Sequence, residues 1–117
     1  MAYTQEARGI RKSSAIITVA APATPEVLYQ LTQGGGVAAR TVIVRKILAY
    51  SGVGASVLTI GVGLAPLVPI ISDLLVVGGV DSGWTEDDIP EVEVGQDITL
   101  QASVAGIQVQ VEVEEIE

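Results

Sequence analysis

The C-terminal part of the chain has the clearest hydrophobic pattern. Between positions 107 and 114, Ile or Val alternates with Gln or Glu, and the segment 97–104 alternates in the same way. Successive side chains of a strand point to opposite faces, so strict alternation is typical of a strand with one buried and one wet face. Ala105-Gly106 stands between the two segments, and we therefore predict a hairpin of two adjacent strands.

Further short apolar segments, separated by glycine and proline, predict more strands. Residues 81–90 instead predict a long acidic loop that contains the only tryptophan. The most confident strand is 40–50, rich in β-branched residues, and a small polar turn at 51–54 returns the chain beside it. The remaining predicted strands are 14–21, 55–62, 70–77 and 91–94.

The segment 24–31 fits two interpretations. A Thr-Pro pair at its start and a glycine shortly after its end are typical of a helix. As a strand, the segment would place Val27, Tyr29 and Leu31 on one face. A helix of this length has little stability of its own, so we favour the strand.

The uncharged stretch 53–72 has the length of a membrane-spanning helix. It contains three glycines and two prolines, which would leave backbone groups without hydrogen bonds in lipid. Two strands joined by a Gly/Pro turn explain it better. We predict no membrane association.

About eight short strands at this spacing predict an all-β fold, a single antiparallel β-sandwich that is jelly-roll-like. Residues 1–12 are polar and predict an extended N-terminal arm, and residues 13–117 form the β-sandwich domain. Modest length and an aliphatic core palette agree with one domain.

Composition removes most active-site chemistry. The chain contains no Cys and no His, which excludes thiolate sites, Ser-His-Asp triads and histidine-bearing zinc sites. A catalytic carboxylate pair would require an aromatic-lined cleft, and only 3% of the residues are aromatic. We therefore expect no enzyme activity and no cofactor.

Charge is distributed unevenly along the chain. The net charge is −8, yet all six basic residues lie within the first 46 positions, and all but two of the 14 acidic residues follow them. An acidic chain repels nucleic acid, so we expect no nucleic-acid partner. The asymmetry has two interpretations: copies attract one another head to tail, or the fold brings both signs onto one mixed surface.

The order of segments over residues 27–62 resembles a known class of proteins. Leu28-Tyr29-Gln30-Leu31-Thr32, a glycine-rich turn, the β-branched strand 40–50 and the polar turn and Thr/Val strand 51–60 follow that class's order. The stretch is similar to small β-sandwich proteins of the virions of tailed bacteriophages and related viruses, of the capsid decoration (cement) type. Gly34-Gly35-Gly36 and Val53 depart from the usual turn residues of that class.

This resemblance implies a structural protein of a virion. The implied partners are copies of the chain, with a trimer favoured, and other capsid or particle proteins. The implied location is the virion; otherwise we expect a soluble protein without a cleaved signal peptide. The alternative is a β-sandwich module that binds a carbohydrate or a protein.

Six residues are candidates for protein interaction, drawn from the arm, the acidic loop and the acidic C-terminal end: Arg8, Arg11, Lys12, Trp84, Glu112 and Glu114. Trp84 either inserts into a partner or stacks on a sugar, or it caps the core. The C-terminal glutamates either form a solvated strand face or pair with the basic arm of a neighbouring subunit. The loop 81–88 either binds calcium or is a solvated acidic segment or a contact for a partner's basic residues.

Overall fold

The computed structural model describes residues 10–31 and 41–116, and in these ranges the chain forms ten strands and no helix. The short strand β3 confirms the strand interpretation of residues 24–31. The strands are β1 Ile10–Ser13, β2 Ile17–Thr18, β3 Glu26–Tyr29, β4 Thr41–Tyr50, β5 Ser56–Val62, β6 Val68–Val76, β7 Asp81–Trp84, β8 Glu93–Val94, β9 Ile98–Ala102 and β10 Gln108–Ile116.

The strands form two antiparallel sheets. In the first sheet β10 and β4 lie at the centre, β1 and β2 both pair with β10, and β7 and β8 both pair with β4. The second sheet has the order β3-β9-β5-β6. The predicted all-β antiparallel sandwich is confirmed.

The pairing between strands is nested. β5 pairs with β6, β4 with β7 and β8, β3 with β9, and β10 with β1 and β2. The chain is therefore one long antiparallel hairpin, with its turn at residues 63–67, that is folded over into two sheets. This is the strand order of a jelly roll, as the sequence analysis expected.

Two predicted strand partners are wrong. β9 and β10 lie in different sheets, and so do β4 and β5. The turns at 105–106 and 51–54 carry the chain from one sheet across to the other instead of closing hairpins. Alternation requires only that one face is buried, and a strand in either sheet satisfies that requirement.

Some boundaries also differ from the prediction. Strand β1 begins at Ile10, inside the predicted arm, whereas the predicted strand 14–21 contributes only β2. The predicted acidic loop begins with strand β7. Asp73 has a φ of 60°, and this places an irregularity where the sequence suggested a kink in β6.

The space between the sheets is filled by aliphatic side chains. Among the fully buried ones are Ile47, Leu58, Ile60, Leu100 and Val109. Two glycines allow the backbone to pack closely around this core. A Cβ atom on Gly61 would lie 2.1 Å from the carbonyl oxygen of Val68, and one on Gly78 would lie 2.7 Å from the Cα atom of Gly54.

Candidate contact surfaces

An ion-pair cluster lies on the first sheet, where β10 approaches its end. The guanidinium of Arg45 donates to Oε1 of Glu114, at 3.0 Å from Nε and 2.8 Å from Nη2. Its Nη1 donates to Glu91 at 3.3 Å. The side chain of Glu114 is only 2% exposed, so this pair is held in a low-dielectric setting where loss of either partner is costly.

A β-bulge explains how Arg45 reaches this position. The register between β10 and β4 shifts at Glu112 and Val113, whose partners are Lys46 and Val44, so Arg45 is the extra residue of the bulge. Burial alone would lower the pKa of Arg45, but its hydrogen bonds and charge interactions with Glu114 and Glu91 raise that pKa above its ordinary value.

Glu115 connects the two sheets. Its carboxylate accepts a hydrogen bond from the hydroxyl of Tyr29, which lies on β3 of the second sheet, and one from Nζ of Lys12 at 3.3 Å. Glu115 is 3% exposed. The buried carboxylate thus ties β1 and β10 to the opposite layer of the sandwich.

The C-terminal glutamates therefore do not form a solvated strand face. Strand β10 is central in the first sheet, and Glu114 and Glu115 are both buried in it. Strict alternation of buried and wet positions ends at Val113, just after the register shift. Glu112 remains partly exposed, and Glu117 lies outside the described residues.

The described part of the predicted arm is held by its own chain. Arg11 and Lys12 lie on β1, opposite Glu114 and Val113 of β10. The guanidinium of Arg11 donates to Glu86 at 3.0 Å and to Glu112 at 3.3 Å. The two signs of charge thus meet on one surface of the chain, as the mixed-surface interpretation expected. Arg8 lies outside the described residues.

Trp84 packs as a cap on the core. It is the last residue of β7, pairs with Ile47 across the sheet, and is half-buried against the hydrophobic core. In the loop that follows, the backbone N–H of Thr85 donates to the Asp88 carboxylate at 3.0 Å. The described residues contain no cluster of three or more acidic side chains arranged to hold a metal ion.

The outer face of the second sheet has a different character. The positions that alternate with core residues on β3, β5, β9 and β6 carry no charge. We call them the uncharged face: Val27, Val57, Thr59, Thr99, Gln101 and Leu75. Val57 and Leu75 are cross-strand partners and are 42% and 58% exposed.

Sequence reasoning did not single out this face. Its members are spread over four predicted strands, and no short motif joins them. The contrast with the first sheet is sharp, because every basic residue that the structure describes lies on β1 or β4: Arg11, Lys12, Arg45 and Lys46. The signal in the sequence was the placement of small or aliphatic residues at wet positions of β5 and β6.

The described part of the chain contains no helix with the length and apolarity needed to cross a membrane. No protein-family model matches the sequence, and no curated protein matches it. Several solved structures share the fold at low sequence identity.

One match is a protein of the disulfide-linked pili that form Bacillus endospore appendages, with 13% identity, 100% of both chains covered and a TM-score of 0.47. Another is the Tobacco streak virus coat protein dimer, with 8% identity, 94% of this chain and 88% of that chain covered and a TM-score of 0.48. A third is from the virus-like particle of the giant freshwater prawn extra small virus, with 14% identity, 92% and 78% covered and a TM-score of 0.44.

These likenesses are to viral coat proteins and to a spore pilus, and they concern the arrangement of strands. They assign no specific function to this chain. The disulfide linkage named for the Bacillus pili has no counterpart here, since the chain contains no Cys.

Proposed function

We propose that this chain is a non-enzymatic structural subunit that self-associates and binds neighbouring protein subunits of a larger particle. The observation that carries the proposal is the uncharged face of the second sheet. Its exposed aliphatic side chains, led by Leu75 and Val57, gain roughly 25 cal/mol for each Å² removed from water. Exposed apolar surface of this kind is typical of protein contacts.

The polar chemistry supports a structural role. The buried charges of Arg45, Glu114 and Glu115 are engaged with one another, with Tyr29 or with Lys12, and they connect strands. None of these groups faces a deep cleft in the described residues. The sequence also lacks His and Cys, the side chains that most often act as general base or nucleophile near neutral pH.

The finer form of the proposal is a virion protein of the capsid decoration type, from a bacteriophage or related virus, assembled as a homo-oligomer with a trimer favoured. The support for this form is the sequence resemblance over residues 27–62 and the jelly-roll strand order. Viral capsid domains are among the proteins that use this architecture.

Native mass by light scattering tests the proposal. We expect an oligomer that persists in about 1 M salt, where the Debye length falls to about 3 Å, because the contact surface carries no charge. Leu75→Glu should shift the mass to the monomer by placing a charge in that surface. A wild-type protein that is monomeric at both salt concentrations would overturn the proposal.

Val92→Glu is the matched control. Val92 is also exposed, at 40%, but it immediately precedes β8 of the first sheet. This variant adds the same charge away from the uncharged face, so it should keep the wild-type mass. If both variants dissociate equally, net charge and not the uncharged face controls association.

A further inference from the structure

A second surface lies on the outside of the first sheet, near the end of β4. There an open concavity of about 220 Å³ is lined by side chains of β4, β7 and β10 and by Ile16. Three of these side chains form one row across the sheet, since Tyr50 lies directly between Gln108 of β10 and Asp81 of β7. An aromatic ring is thus flanked by an amide and a carboxylate.

The next row explains the depression. Leu48 lies between Gln110 and Gly83, and Gly83 has no side chain to fill the space beside it. A Cβ atom there would lie 3.3 Å from Cδ2 of Leu48, so the floor of the concavity is the leucine itself. Ile16, which is 63% exposed, forms the rim.

The polar groups of the concavity are available to a ligand. Within the described residues, the side chains of Gln108, Asp81 and Ser82 and the hydroxyl of Tyr50 make no hydrogen bond. Gln110 is held in place, because its Nε2 donates to the backbone oxygen of Ser14 at 3.0 Å. Its side-chain carbonyl oxygen keeps its capacity to accept.

The charge of the lining restricts the ligand. No basic side chain lines the concavity, and Asp81 is its one charged group. A phosphate, sulfate or carboxylate would therefore meet an anion and no cation. The lining instead combines an exposed aromatic ring and an aliphatic floor with several uncharged donors and acceptors.

We propose that this concavity binds a neutral saccharide. One face of a pyranose ring presents C–H bonds, which would lie against Tyr50 and Leu48. The hydroxyl groups at the edge of the ring would donate to the carboxylate of Asp81 and accept from the amide of Gln108. Apolar contact combined with a few directed polar groups is how small-ligand sites fix orientation.

This site lies on the first sheet, opposite the uncharged face. Saccharide binding and self-association can therefore succeed or fail independently. The sequence analysis considered a sugar only beside Trp84, which packs against the core. The exposed ring at the end of β4 is the better platform.

Titration followed by NMR of the backbone and side-chain amides tests the proposal. The probes are four neutral trisaccharides: cellotriose, maltotriose, chitotriose (its N-acetylated form) and β-1,4-mannotriose. At least one should cause saturable shifts at Gly83, Ser82 and the Gln108 side chain, with a Kd of about 1 mM or tighter. Shifts confined to other surfaces, or none with any probe up to about 10 mM, would overturn the proposal.

Variants separate the site from general effects. Tyr50→Ala and Asp81→Asn should each weaken binding of the responding trisaccharide by about tenfold, which corresponds to about 1.4 kcal/mol. Val57→Ala, on the other sheet, is the matched exposed control and should leave binding unchanged. Equal weakening by the control, or unchanged binding by both site variants, would show that the concavity is not the binding site.

Discussion

The two sheets enclose the same aliphatic core but have opposite outer surfaces. The first sheet carries every described basic residue and the buried carboxylates of Glu114 and Glu115. The second sheet shows the uncharged face, and its backbone packs tightly at Gly61. A shared interior therefore leaves the two exteriors free to differ, with one fixed by paired charges and the other open to a partner.

The first test of this contrast removes the central cation of the first sheet. Arg45→Met would leave the carboxylate of Glu114 buried without its charge partner, and we expect a loss of about 3–5 kcal/mol in the free energy of unfolding by urea denaturation. The double variant Arg45→Met/Glu114→Leu should recover most of that loss, since no buried charge then remains. A single variant of wild-type stability would remove the pair from the list of stabilising contacts.

The arginine side of this pair is insensitive to ordinary pH. The folded-state pKa of Arg45 is raised above 12.5, so its contribution is complete below that value and is lost only as the pH rises through the folded-state pKa. Stability measured between pH 7 and pH 10 should therefore show no loss that depends on Arg45 when the wild type is compared with the double variant.

The second test concerns the backbone of the second sheet. Gly61→Ala would place a Cβ atom 2.1 Å from the carbonyl oxygen of Val68, which lies in the paired strand and cannot yield easily. We expect a loss of about 3 kcal/mol, measured by the same denaturation. Gly52→Ala is the control, because its nearest new neighbour would be a ring atom of Tyr50 at 3.6 Å. Equal losses in both variants would point to a general effect of glycine replacement.

The third test separates the link between the sheets from the sheets themselves. Tyr29→Phe removes the hydroxyl that donates to the buried Glu115, and we expect a loss of about 2 kcal/mol because the acceptor is charged. Tyr50→Phe changes an exposed ring whose hydroxyl has no partner in the described residues, and it should stay within about 0.5 kcal/mol. A ratio near one between the two losses would contradict the linking role of Tyr29.

The smallest effect is expected at the surface of the first sheet. Arg11→Ala removes two exposed ion pairs, with Glu86 and Glu112, and should cost less than about 1 kcal/mol. Thermal unfolding in about 1 M salt should erase the difference from the wild type, because exposed pairs are screened there. A loss that survives high salt would mean that packing of the arginine stem holds β1 in place.

These regions also differ in how far the sequence predicted them. Alternation over 107–113 correctly predicted which side chains of β10 face the core, because burial of one face depends on local order. It did not predict the partner of β10, since a turn that crosses between sheets has the same local sequence character as a hairpin turn.

The ion-pair cluster lay beyond local patterns altogether. Arg45 and Glu114 are 69 positions apart, and Tyr29 and Glu115 are 86 apart. Their meeting depends on the register shift in β10 and on the sheet order, neither of which a window of neighbouring residues contains. Charge asymmetry along the chain signalled that the two halves attract, and the fold satisfied that attraction within one molecule.

The nested pairing of strands has a consequence for how the chain can be cut and rejoined. Ile10 is the cross-strand partner of Glu115, so the two outermost strands end side by side, with Cα atoms about 5 Å apart. A circular permutant that joins positions 117 and 1 and opens the chain within 63–67 would keep every strand pairing. Its most local contact would become β1 with β10 instead of β5 with β6, and the order in which loops close during folding would be reversed.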